Sequence, residues 1–564
     1  MNTLQNNKIK TFCVLIILIS ILLKIIIITK PFFTQFDETL NLTNYSSYYT
    51  SKENYNILFS GSKNCLEKNK NFEKSKTINL PFINFVCNSI SLNSNTVANS
   101  LFLYSIKMSF NVNYAPINFI FANLFLDKYE KFNKKLFKSR IPFFALSIFS
   151  LIFLLKFFFN QINQKEVILL LISLASFSHM INSYELLSIP WGISSLASVT
   201  LIYLIALPRE ELLKTKLIIF TLLLNIIFFY FNWALLFLSL SFYFIIIYFY
   251  KRKKILISFF TYLISIIPGF LIILHKEEIS RNDFLQIELN HEILFNILER
   301  LYFIFISNFH PINSIFETRV YLILLFIIFL LSFIIFFKKI FNEENKISTF
   351  CLLCIVVYLI VNILGKFPFK ASRHTIFLYP QFLVILGFGL NHLFHHIKFK
   401  KTLKFLLVSL ASIHFLIFLI NFKNFVNQYK TLQNQENYDF IKTYVNKNNI
   451  ENIFTDRMNI LWIEDIESSF HIENDIEKKF LNLKDVKKNN LVILSNYDSN
   501  SYYSNIKNKY NLKIIREIPG KNIDIITDNV YKNYLVSNVP KYENNLIIFK
   551  ILNEKTTATN TSNK

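Results

Sequence analysis

The chain has 564 residues, of which 53% are hydrophobic and 17% aromatic, with 64 Phe and only 7 Gly. This apolar content and a mean hydropathy of +0.37 exclude a soluble globular protein and predict a polytopic membrane protein. The formal net charge of +23 then indicates basic cytoplasmic loops rather than nucleic-acid binding. The sequence contains no P-loop and no Rossmann glycine pattern, so a soluble nucleotide donor has no support.

Apolar runs of about 20 residues predict about eleven transmembrane helices. The first run follows the charged start MNTLQNNKIK and has no small-residue cleavage site, which favours a retained helix over a removed signal peptide. The predicted helices cover residues 11–30, 141–158, 167–183, 191–207, 217–231, 233–250, 255–274, 320–337, 347–364, 375–394 and 405–422.

Basic residues in the short loops predict the orientation of these helices. KRKK at 251–254, KK at 338 and KFKKTLK at 398–404 belong in the cytoplasm, whereas NSYELLSIP carries no Lys or Arg. Three long segments then face outward: residues 31–140, residues 275–319, and the chain after about 423. Within them, residues 97–132 and HEILFNILERLYFIFISNF are apolar but too short or too polar to span, which indicates helices lying in the membrane interface.

After the last predicted span the sequence becomes polar. The short runs NIFTD, NLVILSN, LKIIREI and NLIIFKIL alternate with the helix-like segments DFIKTYVNK and SYYSNIKNKY, which is typical of a small α/β domain. The predicted fold class is therefore mainly α: a transmembrane domain at 1–425, a soluble extracytoplasmic α/β domain at 426–553 and a disordered tail at 554–564.

Cysteine positions predict two environments. Cys13, Cys351 and Cys354 lie in apolar runs and are expected to be small core residues; the C-x-x-C spacing of the last two has no second pair that would indicate zinc. Cys65 and Cys87 both fall in the first outer segment, where a disulfide and two separate thiols are equally open.

Asp37 and Glu38 form an acidic pair just beyond the first predicted helix. Two adjacent carboxylates near the outer membrane face would serve as a general base or a cation site. The alternative is a solvated start of a loop.

The segment GKFPFKASRHTIFLYPQF, at 365–382, begins a predicted helix at its outer end with Lys366, Lys370, Arg373 and His374. Cationic side chains and free N–H groups at a helix start attract anions, so the phosphate of a lipid carrier would suit this segment. The alternative is that Lys370 and Arg373 extend to lipid headgroups.

NSYELLSIPWG, at 182–192, places Tyr184 and Glu185 on a very short outer connection between two helices. An ionisable side chain so close to the bilayer is a functional candidate by default. A helix-capping or ion-pairing role for Glu185 is the alternative.

Taken in order, these motifs resemble the polytopic GT-C glycosyltransferases, in particular the bacterial branch of protein O-mannosyltransferases and the lipid A aminoarabinose transferase. FDETLN is similar to the acidic element after the family's first helix, and SRIPFF (139–144) to its Arg-Leu-Pro-like entry to the second. SYELLSIPW resembles its Tyr and Glu element, and SRHTIFLYP its late Arg-His opening of a helix. The chain departs from the pattern in one respect: ELLSIP lacks the Arg that often follows the Glu, which weakens its assignment to donor binding.

The resemblance implies an inverting glycosyltransferase that uses a polyprenyl-phosphate-linked sugar as donor and a glycan, lipid or protein as acceptor. In that reading Asp37 is the general base and Glu38 supports it, Arg373 with His374 and Lys370 binds the donor phosphate, and Tyr184 and Glu185 line the sugar pocket. No cofactor is required, and a divalent metal at Asp37 and Glu38 stays an open alternative.

The implied location is the bacterial inner membrane, with the C-terminal domain outside the cytoplasm. Because FDETLN also resembles the start of dolichol-dependent mannosyltransferases, an endoplasmic reticulum enzyme is the alternative location. A transporter or flippase of lipid-linked sugars is the rival function.

Overall fold

A computed structural model describes the helical part of the chain and the strands near its C-terminus. The described residues are 2–29, 115–122, 124–125, 132–178, 182, 185–186, 190–276, 291–310, 319–342, 345–364, 373–396, 398–428, 435–448, 450, 452–455, 469–472, 491–495, 508, 510–518 and 546–554.

Helices dominate this part of the chain, as the sequence predicts. Numbered in order, they are α1 Asn2–Thr29, α2 Pro116–Ala122, α3 Phe132–Gln161, α4 Lys165–Ser176, α5 Ser194–Ala206, α6 Arg209–Leu212, α7 Thr215–Phe231, α8 Leu235–Tyr250, α9 Lys253–Lys276, α10 Ile293–Phe309, α11 Arg319–Asn342, α12 Lys346–Ile363, α13 Tyr379–His396, α14 Lys400–Gln428 and α15 Gln435–Lys447. Two 3-10 helices, η1 Pro190–Ile193 and η2 Arg373–Leu378, precede α5 and α13.

Seven of the described helices are long and apolar enough to cross a membrane. They are Thr11–Thr29, Leu136–Gln161, Lys253–Leu271, Val320–Phe337, Lys346–Ile363, Thr375–His396 and Lys400–Ile420. Three shorter apolar helices, at Trp191–Ala206, Thr215–Phe231 and Leu235–Tyr250, match three more predicted spans. The multi-pass membrane architecture is therefore supported, whereas the count of eleven is not confirmed.

The remaining predicted span, 167–183, is shorter in the structure because α4 ends at Ser176. The side chain of Asn182 donates hydrogen bonds to the carbonyl oxygens of Ser176 and Ser178, at 3.0 and 2.7 Å, and Ser20 Oγ also donates to Ser176 O at 3.1 Å. These side chains satisfy carbonyls that a helix end leaves without partners, so the chain can turn while buried.

The helix beginning at Thr375 occupies the centre of the bundle, since 78% of its span is buried, against 28–50% for the other six spans. It packs on α11 and on α4. At Gly389 a Cβ atom would lie 2.5 Å from the carbonyl oxygen of Ser332, so only glycine lets α13 approach α11 this closely. Large apolar side chains on the outer helices are exposed, for example Phe220 and Ile264, as expected for a lipid-facing surface.

The cysteine predictions that the described residues can test are confirmed, since Cys13, Cys351 and Cys354 are fully buried free thiols. Cys65 and Cys87 lie outside the described residues.

A sheet follows the helices. Its strands are β1 Asn452–Thr455, β2 Ser469–Ile472, β3 Leu491–Ser495, β4 Tyr510–Ile518 and β5 Leu546–Glu554, in the order β2-β1-β3-β5-β4. β1 pairs in parallel with β2 and β3, and β5 pairs antiparallel with β3 and β4. The predicted runs match strands β1, β3, β4 and β5, and the helix-like segment DFIKTYVNK matches α15. Strand β2 was not predicted from the sequence. The domain boundaries at 425 and 553 remain predictions. The extracytoplasmic location of the domain at 426–553 also remains a prediction.

Candidate functional site

The structure describes the sequence-predicted site residues unequally. Asp37, Glu38, Tyr184 and Lys370 lie outside the described residues. Arg373 and His374 are described by their backbone, which opens η2. The side chain of Glu185 is described in full, and it is 1% exposed.

Glu185 belongs to a buried polar cluster formed with Lys24 and Ser147. Lys24 Nζ lies 3.3 Å from Glu185 Oε2, and the two side chains are 0% and 2% exposed. Ser147 Oγ donates to the same carboxylate oxygen at 2.6 Å and accepts a hydrogen bond from Lys24 Nζ. The three groups therefore hold one another, with one positive and one negative charge removed from solvent.

Three separate elements supply these side chains. Lys24 lies on α1, Ser147 on α3, and Glu185 on the connection between α4 and η1. Helix α1 contacts both α3 and α4, which brings together residues 161 positions apart in the chain. Lys24 precedes the end of α1 at Thr29 by five residues, or about 7.5 Å at 1.5 Å per residue. Lys24 therefore lies in the predicted outer half of the span Thr11–Thr29, about midway between its central residue, Ser20, and its end.

The sequence-based site lacked Lys24 and Ser147. Lys24 interrupts the run CVLIILISILLKIIIIT, and an ionisable residue inside a spanning helix is itself a functional signal. Ser147 has no comparable signal, because serine is common in membrane helices and its partner comes from a distant segment. The ion-pairing alternative for Glu185 is confirmed, and its partner is Lys24.

One of the two carboxylate oxygens of Glu185 accepts no hydrogen bond from the described residues. Oε2 accepts from both Lys24 and Ser147, whereas Oε1 is buried and has no hydrogen-bond partner among the described residues. A buried polar atom without a partner is destabilising, so in a native protein it calls for an explanation such as a catalytic role, a bound ion or an ordered water.

The η1 segment fixes the position of Glu185 against α3. A Cβ atom at Gly192 would lie 2.5 Å from Phe143 Cδ1 and 3.1 Å from the carbonyl oxygen of Glu185. Glycine is therefore required for η1 to approach both groups. Phe143 lies one turn from Ser147 on α3, so the same helix face lies against Gly192 of η1 and bonds the side chain of Glu185.

Arg140 lies on that face as well, two turns before Ser147, and is 1% exposed. Arg140 makes interactions of its own in this position. Sequence analysis used Arg140 only as part of the SRIPFF motif. The signal for Arg140 in the sequence was its position two residues before Pro142, the proline inside α3.

The segment SRHTIFLYP lies beside the Glu185 connection. The two 3-10 helices η1 and η2 contact each other, and η2 also packs on α5. Tyr379, the tyrosine of that motif, directly follows η2 and is 1% exposed. Two of the three predicted motifs thus meet at the same place in the bundle.

The described cluster consists of hydrogen-bonding groups: a lysine, a serine and a carboxylate. No group of three or more His, Cys, Asp or Glu side chains that could hold a metal ion occurs within the part of the chain that the structure describes. Glu185 instead offers a held carboxylate with one oxygen still able to accept.

Comparison with known proteins finds no family model that matches the chain and no curated protein that is significantly similar to it.

Proposed function

We propose that this protein is a membrane glycosyltransferase that moves a sugar from a polyprenyl-phosphate-linked donor to a glycan, lipid or protein acceptor on the extracytoplasmic face. The observation that supports it best is the contact between η1, which begins within SYELLSIPW, and η2, which lies within SRHTIFLYP. These segments are far apart in the chain, and their contact brings two motifs of the resemblance to one place in the bundle.

In the proposed reaction the acceptor hydroxyl oxygen attacks the anomeric carbon of the donor. The new C–O bond forms as the C–O bond to the lipid phosphate breaks, and the configuration inverts. Asp37 takes the proton of the acceptor hydroxyl, and Glu38 orients Asp37 or raises its proton affinity. Arg373, with His374 and Lys370, stabilises the negative charge that develops on the departing phosphate.

Segments near the membrane interface would admit the lipid part of the donor. Helix α10 begins with exposed Leu294 and Phe295 and ends with buried Phe305 and Phe309. An apolar helix that is exposed at one end and packed at the other suits a position at the rim of the bundle, where a polyprenyl tail enters from the bilayer.

A transporter of lipid-linked sugars is the second candidate, because the Lys24–Glu185 pair is ionisable and lies within the bundle. Transporters place such groups near the midplane, typically at broken helices. Helix α1, which carries Lys24, is unbroken from Asn2 to Thr29. This continuity favours the enzyme.

The test is the Asp37→Asn variant in the strain that encodes this chain, with glycans and glycolipids analysed by mass spectrometry. We expect one glycan or glycolipid to lose a sugar while the variant protein remains in the membrane at the normal amount. Asp127→Asn, in the same predicted outer segment, is the matched control and should leave the profile unchanged. A complete profile in the Asp37→Asn strain would contradict the enzymatic mechanism.

The phosphate assignment has its own test. Arg373→Ala should weaken binding of a radiolabelled polyprenyl-phosphate sugar to purified protein by about tenfold or more, since a charge-assisted hydrogen bond is lost. Unchanged donor affinity would show that the phosphate binds elsewhere.

A further inference from the structure

We propose that Oε1 of Glu185 accepts a hydrogen bond from an uncharged hydroxyl group of the substrate, so that the site selects neutral sugars over amino sugars. This inference rests on the proposed function, and it specifies the substrate class of the same site. It follows from the charge and the hydrogen bonds of the Glu185 cluster.

The described hydrogen bonds leave one carboxylate oxygen of Glu185 without a donor. Lys24 and Ser147 both direct their hydrogen bonds to Oε2, at 3.3 and 2.6 Å. Oε1 is buried and has no partner among the described residues. Because a carboxylate oxygen has two lone pairs and a strong demand for donors, an arriving O–H group would remove an existing penalty.

The charge balance decides which kind of donor fits. Lys24 already neutralises Glu185, so the pair carries no net charge. A bound hydroxyl keeps the buried site neutral, whereas an ammonium group would leave an excess positive charge there without solvent.

A purely structural ion pair would not need this arrangement. A buried pair can be replaced by apolar side chains of similar size with little loss of stability, and it is not in itself a strong source of stability. Here the pair holds Glu185 on the connection that leads into η1, which itself contacts η2, and one oxygen of the carboxylate is uncommitted. Lys24 and Ser147 are positioning residues in this account, and Glu185 is the residue that contacts the substrate.

The experiment compares two side chains at position 185 in a background where neither leaves a charge unpaired. Lys24→Met combined with Glu185→Gln keeps an acceptor oxygen, whereas Lys24→Met combined with Glu185→Met removes it. The probes are a neutral alkyl hexoside and the corresponding cationic alkyl 2-amino-hexoside. Binding of each is measured to purified protein in lipid nanodiscs.

We expect wild-type protein to bind the neutral probe at least about tenfold more tightly than the cationic probe. The Gln variant should keep the affinity for the neutral probe within about threefold, and the Met variant should lose about tenfold or more. Equal binding of the neutral probe by the Met variant, or tighter binding of the cationic probe by wild type, would overturn the proposal. A role confined to folding would not change the ratio between the two probes.

Failure of this inference can be told apart from failure of the proposed function. If hexoside binding depends on Glu185 but no polyprenyl-phosphate sugar supports transfer, the recognition site stands and the transferase assignment is wrong. If transfer occurs and the Met variant transfers neutral sugars with unchanged KM, the transferase stands and this inference is wrong.

Discussion

Two Lys–Glu ion pairs in this protein have the same chemistry but differ in burial, in distance and in separation along the chain. Lys214 and Glu211 approach to 2.5 Å, three residues apart on the surface, with 60% and 51% of their side chains exposed. Lys24 and Glu185 are farther apart, at 3.3 Å, yet their side chains are 0% and 2% exposed and come from segments 161 residues apart. The shorter distance belongs to the pair that we expect to matter less.

Burial explains this reversal. Water screens the exposed pair and solvates each partner when the other is removed, so loss of one charge changes little. In the interior, loss of one partner leaves the other charge without solvent or a counter-ion. A third pair, Lys404 with Glu166 at 3.1 Å, is intermediate, with exposures of 45% and 13%. The three pairs form a series in which exposure should determine the effect of removing the lysine.

The largest effect is expected from Lys24→Met, which leaves the Glu185 carboxylate buried and uncompensated. The free energy of unfolding should fall by about 3–5 kcal/mol. Denaturant titration of purified protein in mixed micelles measures this change. A loss below about 1 kcal/mol would show that the pair is hydrated in solution and would break the comparison.

Ser147→Ala should have the next largest effect, because it removes the 2.6 Å hydrogen bond to Glu185 Oε2 and the acceptor for Lys24. We expect a loss of about 1.5–3 kcal/mol by the same titration, as for a hydrogen bond to a charged group. Ser150→Ala is the matched control on α3, since Ser150 Oγ is buried without a partner among the described residues. Equal losses in both variants would assign the effect to helix packing.

Lys404→Met should lower the free energy of unfolding by about 1 kcal/mol or less, since Lys404 is largely solvated but Glu166 is mostly buried. The bridge joins α14 to α4, so the loss should also diminish at high salt. Lys401→Met on the same helix controls for the change in hydropathy. A loss as large as that of Lys24→Met would contradict the dependence on exposure.

Lys214→Met should have the smallest effect, below about 0.5 kcal/mol, as for other solvent-exposed ion pairs. The Lys214–Glu211 pair has the shortest distance and the greatest exposure of the three pairs. Its variant therefore tests whether exposure or distance determines the loss of stability. If this variant lost more stability than Lys404→Met, distance rather than exposure would order the series.

Sequence reasoning predicted the elements better than the contacts between them. Apolar runs long enough to span a bilayer gave the helices, because length and hydropathy are local properties. The end of α4 at Ser176 depends on side chains of Ser20 and Asn182, which a hydropathy window does not register. Strand β2, SFHI, is short and half polar, so it gives no clear strand signal.

The candidate site shows the same limit. Glu185 could be selected from its place on a short outer connection, and SRHTIFLYP from its cationic helix start. Their proximity through η1 and η2 is a tertiary contact that the sequence does not encode locally. Lys24 carried a local signal as a charge within an apolar helix, whereas its partner could be identified only from the fold.

The central claim is that Glu185 serves substrate and not only the fold, and the double variant Lys24→Met, Glu185→Met tests it most directly. Replacing both charges should restore the stability that Lys24→Met alone loses, because no buried charge remains unpaired. The measurement is sugar transfer in the encoding strain, read from its glycan and glycolipid masses, alongside the unfolding titration. The account predicts a stable, membrane-inserted protein with transfer lost. Full transfer in a stable double variant would contradict it.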